Sequence, residues 1–247
     1  DIGTDESFSL YIAQLPTADI IQTLQKGDNP PLWELLASIL TDLLGFSLYN
    51  LRIVSILASI LTGLGIWLLG SRFLDKTSGL LAASFFLFSN FGFFIAHEAR
   101  VYSLLGLLIV LSSSIFLQII TQKTANKLWI WLGITNTLIF YSHYLGLYIV
   151  LIQFITLLLT RPDKKYWIAF IKASTLLFFL SIPQIPTLLN RFLASGTSGT
   201  WVPQTSGIKD IYFMVLKFTN APILAVLSIV VLLYSLIVLF KKKSILY

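Results

Sequence analysis

The chain has 247 residues, of which 56% are hydrophobic and 11% charged, and its mean hydropathy is +0.85. Soluble domains carry about 25% charged residues, so this composition points away from a soluble globule and to a membrane protein. Cysteine is absent, which removes disulfides and thiolate chemistry, and the net charge of +6 comes from bases clustered in short loops between apolar runs, a pattern of membrane orientation rather than of nucleic-acid binding.

The chain begins with Asp1, with no initiator Met and no signal peptide, and is expected to be a fragment trimmed at least at its N-terminus. Residues 1–49 are predicted to form an outer loop with juxtamembrane helices. Two short helices are expected at 6–15 and 17–25, broken at Pro16. A third is expected within 30–44, where Glu34, Ser38, Thr41 and Asp42 form a polar stripe opposite an apolar face. That pattern predicts a helix lying in the membrane interface, with Trp33 at headgroup level.

A helix crosses the hydrocarbon core with about 20 apolar residues. Seven candidate spans follow: 51–70, 79–96, 101–121, 128–140, 145–160, 166–189 and 222–240. The transmembrane regions are thus 50–189 and 221–240, with 190–220 as a second outer loop. That loop holds Trp201 and a flexible Ser195-Gly196-Thr197-Ser198-Gly199 stretch suited to a lid. The predicted fold class is all-α: one polytopic membrane helix bundle with outer juxtamembrane helices.

Charge orients the ladder. Ten of the seventeen bases fall on one side: Arg72, Lys76, Lys123, Lys127, Arg161, Lys164, Lys165, Lys241, Lys242 and Lys243. That side is predicted to be cytoplasmic. Nine of the eleven acids fall on the other side. Ionisable groups at a membrane edge are costly and mark function by default.

Two acid-bearing motifs stand out on the outer side. Asp5 and Glu6 are adjacent, so on a helix they point roughly 100° apart. One can face a substrate while the other caps or pairs. His97-Glu98-Ala99-Arg100 fills a short turn between two apolar runs. Glu98 there suits a polar acceptor or a metal, and the planar fork of Arg100 suits a phosphate. Blander readings stay open: a solvated hairpin tip for Glu98 and Arg100, snorkelling for Arg52, and structural hydrogen bonding for His143. Trp201 suits either a sugar ring or the membrane interface. No phosphate-binding Gly loop, zinc-ligand spacing or Ser nucleophile elbow is present, so soluble nucleotide chemistry is not indicated.

Several segments together resemble one family. Asn29-Pro30-Pro31-Leu32-Trp33 resembles its "HPPLY" motif, and Leu51-Arg52-Ile53-Val54-Ser55 resembles "LRLPS". Gly70-Ser71-Arg72-Phe73 is similar to "GRRL", Ala96 to Tyr102 to "SQEARPY", and Tyr141-Ser142-His143-Tyr144 to "YTHY". With the Asp5-Glu6 loop, their order and sidedness over residues 1–190 resemble GT-C glycosyltransferases of the dolichyl-phosphate-mannose-protein mannosyltransferase-like bacterial branch. Asn29 in place of His and Val101 in place of Pro are departures.

The resemblance implies transfer of one sugar from a polyprenyl-phosphate donor to a hydroxyl of a protein, lipid or glycan. Asp5 is then the expected general base, with Glu6 as the alternative. Arg100, together with Arg52, is expected to bind the donor phosphate. Glu98 and His97 would orient the acceptor, the sugar or a divalent ion, with Asn29, His143 and Tyr102 in support. No clear metal-ligand set is present, and the cofactor is left unknown. The expected partners are the donor, a hydroxyl-bearing acceptor and the lipid bilayer, with no nucleic acid. The expected location is the inner membrane, with the site facing the periplasm or exterior and inversion at the anomeric carbon. A transporter or flippase for an anionic lipid or solute is the rival reading, because it also uses Arg and acids in a cavity.

Overall fold

A computed structural model describes residues 4–26, 29–121, 127–198 and 207–241. Trp201, Gly199, Lys123, Lys242 and Lys243 lie outside the described residues. Every regular element among the described residues is helical.

Three short helices come first: α1 (Thr4–Ala13), α2 (Thr17–Lys26) and α3 (Leu32–Leu44). Pro16 separates the first two, as expected, since proline cannot continue the α1 hydrogen-bond ladder. Gly45, at φ +87°, ends α3 and donates its N–H to the Thr41 carbonyl at 3.0 Å. The two ends of α3 differ. Ile39, Leu43 and Leu44 are exposed, whereas Trp33 is buried inside the protein and does not present its ring at the surface. The reason is tertiary. Trp33 and Ala37 pack with Ala13, Leu51 and Ala99, so the N-terminal half of α3 lies inside the protein.

The longer run of helices follows: α4 (Leu48–Phe73), α5 (Lys76–Leu87), α6 (Asn90–His97), α7 (Val101–Thr121), α8 (Leu128–Ser142) and α9 (Tyr148–Thr160). Next come α10 (Lys164–Ser181), α11 (Ile185–Ser198), α12 (Ile208–Thr219) and α13 (Pro222–Lys241). Short 3-10 turns at Tyr144–Leu147 and Ile182–Gln184 lead into α9 and α11. Leu48–Phe73, Val101–Thr121 and Lys164–Leu193 are each long and apolar enough to cross a membrane, and there are up to five such spans if two bent pairs count as one each. Leu128–Ser142 and Tyr144–Thr160 are shorter apolar helices. Large apolar side chains such as Leu57, Ile60, Leu151 and Phe178 point outward, as lipid contact requires.

Two predictions need revision. The expected single span at 79–96 is two helices bent by 59°. Ser89 caps α6 by accepting the Gly92 N–H at 2.9 Å. A Cβ at Gly92 would lie 2.0 Å from the Phe86 carbonyl oxygen, so only glycine fits this break. Asn220, at the corner between α12 and α13, donates to the Phe88 carbonyl at 2.8 Å and accepts the Asn90 N–H. It thereby serves backbone groups that the break leaves without helical partners. The second revision concerns 190–220. Pro186 sits in the first turn of α11, where proline is tolerated, so the helix runs on through Ser198. After Gly207, α12 forms with Asp210 in its first turn and Lys217 in its last, both favourable to the helix dipole.

The spans join through small residues and polar bonds. Gly70 and Gly79 meet so closely that a Cβ on Gly70 would be 2.6 Å from the Gly79 Cα. Deeper in the bundle, Ser112 donates to Asn136 Oδ1 at 2.6 Å, Asn136 to Gln153 Oε1 at 3.1 Å, and Gln153 back to Ser112 Oγ at 2.8 Å. This closed triad ties α7, α8 and α9. Asn136→Leu is expected to lower stability by about 1 kcal/mol, because the unfolded chain in lipid also finds partners. Reversible unfolding in detergent micelles checks it, and an unchanged midpoint would make the triad energetically idle.

Candidate active site

The turn between α6 and α7 organises the site. Glu98 is extended and Arg100 donates its N–H to the Glu98 carbonyl at 2.8 Å. Ala99 is fully buried and held from two sides. Its N–H donates to Glu6 Oε1 at 2.8 Å, and its carbonyl accepts the Trp33 indole N–H at 3.1 Å. Helices α1 and α3 thus fix the backbone on which Glu98 and Arg100 stand.

Asp5 and Glu6 take different environments. Glu6, 3% exposed, accepts Arg52 Nε at 3.0 Å and Arg52 Nη2 at 2.7 Å, besides the Ala99 N–H. This fork-on-fork geometry holds Glu6 as an acceptor with both oxygens engaged. Asp5 instead has a side chain 69% exposed and forms an ion pair with Arg100. The Arg100 guanidinium also lies 5.1 Å from the Tyr102 ring centroid.

Beside Arg100 a cleft opens, lined by Asn29, Trp33, Glu34, Tyr102 and His143 among others. Its enclosed space is small, about 30 Å³, and its mouth is open to solvent. His143 accepts the Leu145 N–H through Nδ1 at 3.2 Å, and burial, with Arg191 and Arg100, holds its pKa below the usual value. The ring is therefore neutral near pH 7. Burial raises the pKa of Glu98, opposed by Arg100 and reinforced by Glu6 and Asp5. Burial pushes Glu34 up to about 7, with Arg100 and Ser9 pulling the other way.

The structure therefore draws together Asp5, Arg100, Glu6, Arg52 and Glu98 at the turn, and Asn29, Tyr102 and His143 at the cleft. His97 is not among the cleft residues. It is exposed, its Nδ1 lies 2.8 Å from the Phe93 carbonyl of its own helix, and its ring stacks on Phe93 at 4.1 Å. No group of three or more His, Asp or Glu among the described residues is placed to hold a metal ion.

A family model described as dolichyl-phosphate-mannose-protein mannosyltransferase matches residues 28–188, more than half of the chain. The chain belongs to that family. No curated protein and no solved structure matches it. Membership makes this chain a multi-pass membrane glycosyltransferase whose sugar arrives on a polyprenyl phosphate, and so favours the enzyme over the transporter reading. The matched region contains Asn29, Arg52, Glu98, Arg100, Tyr102 and His143 but begins after Asp5 and Glu6. Those two acids join the site through Arg100, Arg52 and the Ala99 N–H.

Glu34 was given no catalytic or binding role from the sequence. As a member of the polar stripe it was expected, with Asp42, to face water or the site, and the fold places it in the lining of the cleft. Its signal was position: it is the one acid in the first turn of α3, just after Asn29-Pro30-Pro31.

Proposed function

We propose that this glycosyltransferase moves one sugar from a polyprenyl phosphate to a hydroxyl acceptor at the outer face of the inner membrane, with inversion. The observation that carries the reading is the Asp5–Arg100 pair, which sets a base beside a phosphate-binding cation. The acceptor oxygen attacks the anomeric carbon as Asp5 takes its proton. The bond from that carbon to the phosphate oxygen breaks, and the phosphate leaves with the electron pair. Arg100 stabilises the charge it carries away, at a rim where part of the solvent is excluded. In this reading Arg100 exchanges Asp5 for the phosphate when the donor binds, which frees the carboxylate to act.

Asp5 is preferred to Glu6 as base because both Glu6 oxygens already accept hydrogen bonds. Glu6 serves by fixing Arg52 and the Ala99 turn. Arg52 supports the phosphate field from behind, and Glu98 orients a hydroxyl. The outer location follows from the gathering of acids on the side opposite the base-rich loops.

Purified full-length protein, supplied with synthetic short-chain polyprenyl-phosphate sugars and hydroxyl acceptors, is expected to form a glycoside of inverted anomeric configuration, read by proton NMR. A product of retained configuration would overturn direct displacement and replace it with a glycosyl-enzyme route.

A further inference from the structure

Glu34 is only 4% exposed, yet it lines the cleft next to Arg100, Asn29, Tyr102 and His143. Ser9 Oγ donates to its Oε1 at 3.5 Å, the long limit of a hydrogen bond. Its own backbone N–H is a further partner. Glu6, by contrast, is buried with a bidentate arginine. A buried carboxyl this sparsely served keeps hydrogen-bonding capacity for what enters the cleft, since buried polar groups are otherwise satisfied.

We propose that Glu34, with Asn29 beside it, forms the subsite that holds hydroxyl groups of the transferring sugar. The inference rests on the reading above, in which Arg100 binds the donor phosphate. The sugar is bonded directly to that phosphate, so its ring must lie next to the guanidinium, and the cleft opens there. Its polar groups are an amide, a carboxyl, a phenol and an imidazole, with Trp33 and Pro30 as apolar walls. A few convergent polar groups on an apolar frame suit a hydroxylated ring. The enclosed part of the cleft has about 30 Å³ of room, enough to admit a hydroxyl group but not a whole ring, so in this assignment the ring lies at the open mouth and reaches in with its hydroxyls.

Charge agrees with the assignment. An ionised carboxylate beside the donor phosphate would repel it. Held at about 7 by burial, Glu34 is neutral on the acid side of neutrality and can donate to a sugar oxygen without repulsion. The groups facing it are Arg100 and Tyr102 from the α6–α7 turn and the start of α7, Ser9 from α1, and His143 from the turn before α9, with Asp5 and Glu98 around Arg100. Burial, with Arg191 and Arg100, holds the pKa of His143 below its usual value. Glu34's folded pKa is raised, so its contribution to donor binding is present below pH 7 and is lost as pH rises through 7.

The test uses full-length protein in detergent and two ligands: the polyprenyl-phosphate sugar that the wild type transfers, and the same polyprenyl phosphate without sugar. At pH 6.5, Glu34→Ala is expected to weaken the sugar-bearing ligand about tenfold and leave the sugar-free one unchanged. Arg100→Ala should weaken both. Glu34→Gln, which keeps shape and hydrogen bonding, should retain the preference for the sugar-bearing ligand. It should also remove the fall in affinity between pH 6 and 8, which separates Glu34 from Glu98. Equal binding of both ligands by Glu34→Ala and wild type, with Arg100→Ala still impaired, overturns the subsite and leaves the function standing. Equal weakening of both ligands by Glu34→Ala makes the residue structural and also overturns it. A wild type that binds no member of a panel of polyprenyl-phosphate hexoses and pentoses overturns the functional reading itself.

Discussion

Asp5→Asn is expected to lower sugar turnover by about 10²-fold or more while donor affinity changes little. The amide keeps the shape and hydrogen bonding of the carboxylate but cannot take the acceptor proton. Arg100→Ala is expected to lower both turnover and donor affinity, because the phosphate is charged before and during the reaction. The two variants therefore separate in a plot of turnover against donor dissociation constant. Full turnover in Asp5→Asn would remove Asp5 as base and pass the role to Glu6 or Glu98. A side effect is built into the geometry. Arg100 pairs with Asp5 in the unliganded protein, so Asp5→Asn frees the guanidinium and is expected to tighten donor binding slightly rather than weaken it.

Breaking the Glu6–Arg52 pair is expected to produce the largest loss of stability, and the two partners are not equivalent. Removing one member of a buried ion pair costs about 3–5 kcal/mol, because the other is left uncompensated. The Glu6 side chain is nearly inaccessible and that of Arg52 is 28% exposed. Arg52→Ala takes the guanidinium from the buried carboxylate, which keeps the Ala99 N–H, and should cost about 3 kcal/mol. Glu6→Ala leaves a partly exposed guanidinium that can turn to water and should cost less, about 2 kcal/mol, including the lost acceptor of the Ala99 N–H. Unfolding of each variant in the same detergent ranks them. Equal losses, or losses below about 1 kcal/mol as for surface pairs, would remove Glu6 from its structural role. Turnover per folded molecule in Glu6→Gln provides the functional counterpart: it should remain close to wild type if Asp5 is the base.

Much of the site was legible residue by residue, but not its division of labour. Adjacent acids at 5 and 6 announce that two directions are used, since neighbouring helical positions diverge. Nothing local says that position 6 goes inward to Arg52 and position 5 outward to Arg100. His97 and Glu98 look equivalent in a short polar turn. Helix α6 takes His97 into its last turn and leaves Glu98 extended beyond its end, so the two face different surroundings. Trp33 looked like an interface anchor because the apolar face of α3 is continuous in sequence. The turn at Ala99 covers the first half of that face and leaves the second exposed.

What the sequence determined by itself is the membrane class and the placing of most apolar helices. Those depend on a quantity that accumulates along the chain: apolar length against the thickness of the bilayer. The helix at Val101–Thr121 falls where its apolar run does, because no tertiary contact is needed to keep such a run out of water. The tertiary structure alone decided which acid is buried, where the 79–96 run breaks, and that Glu34 faces a cleft rather than open water. These outcomes rest on contacts between residues far apart in the chain: Glu6 with Arg52 across 46 positions, Asp5 with Arg100 across 95, and Asn220 with Phe88 across 132. Burial and pairing energies belong to those contacts, and a pattern read along one segment does not contain them.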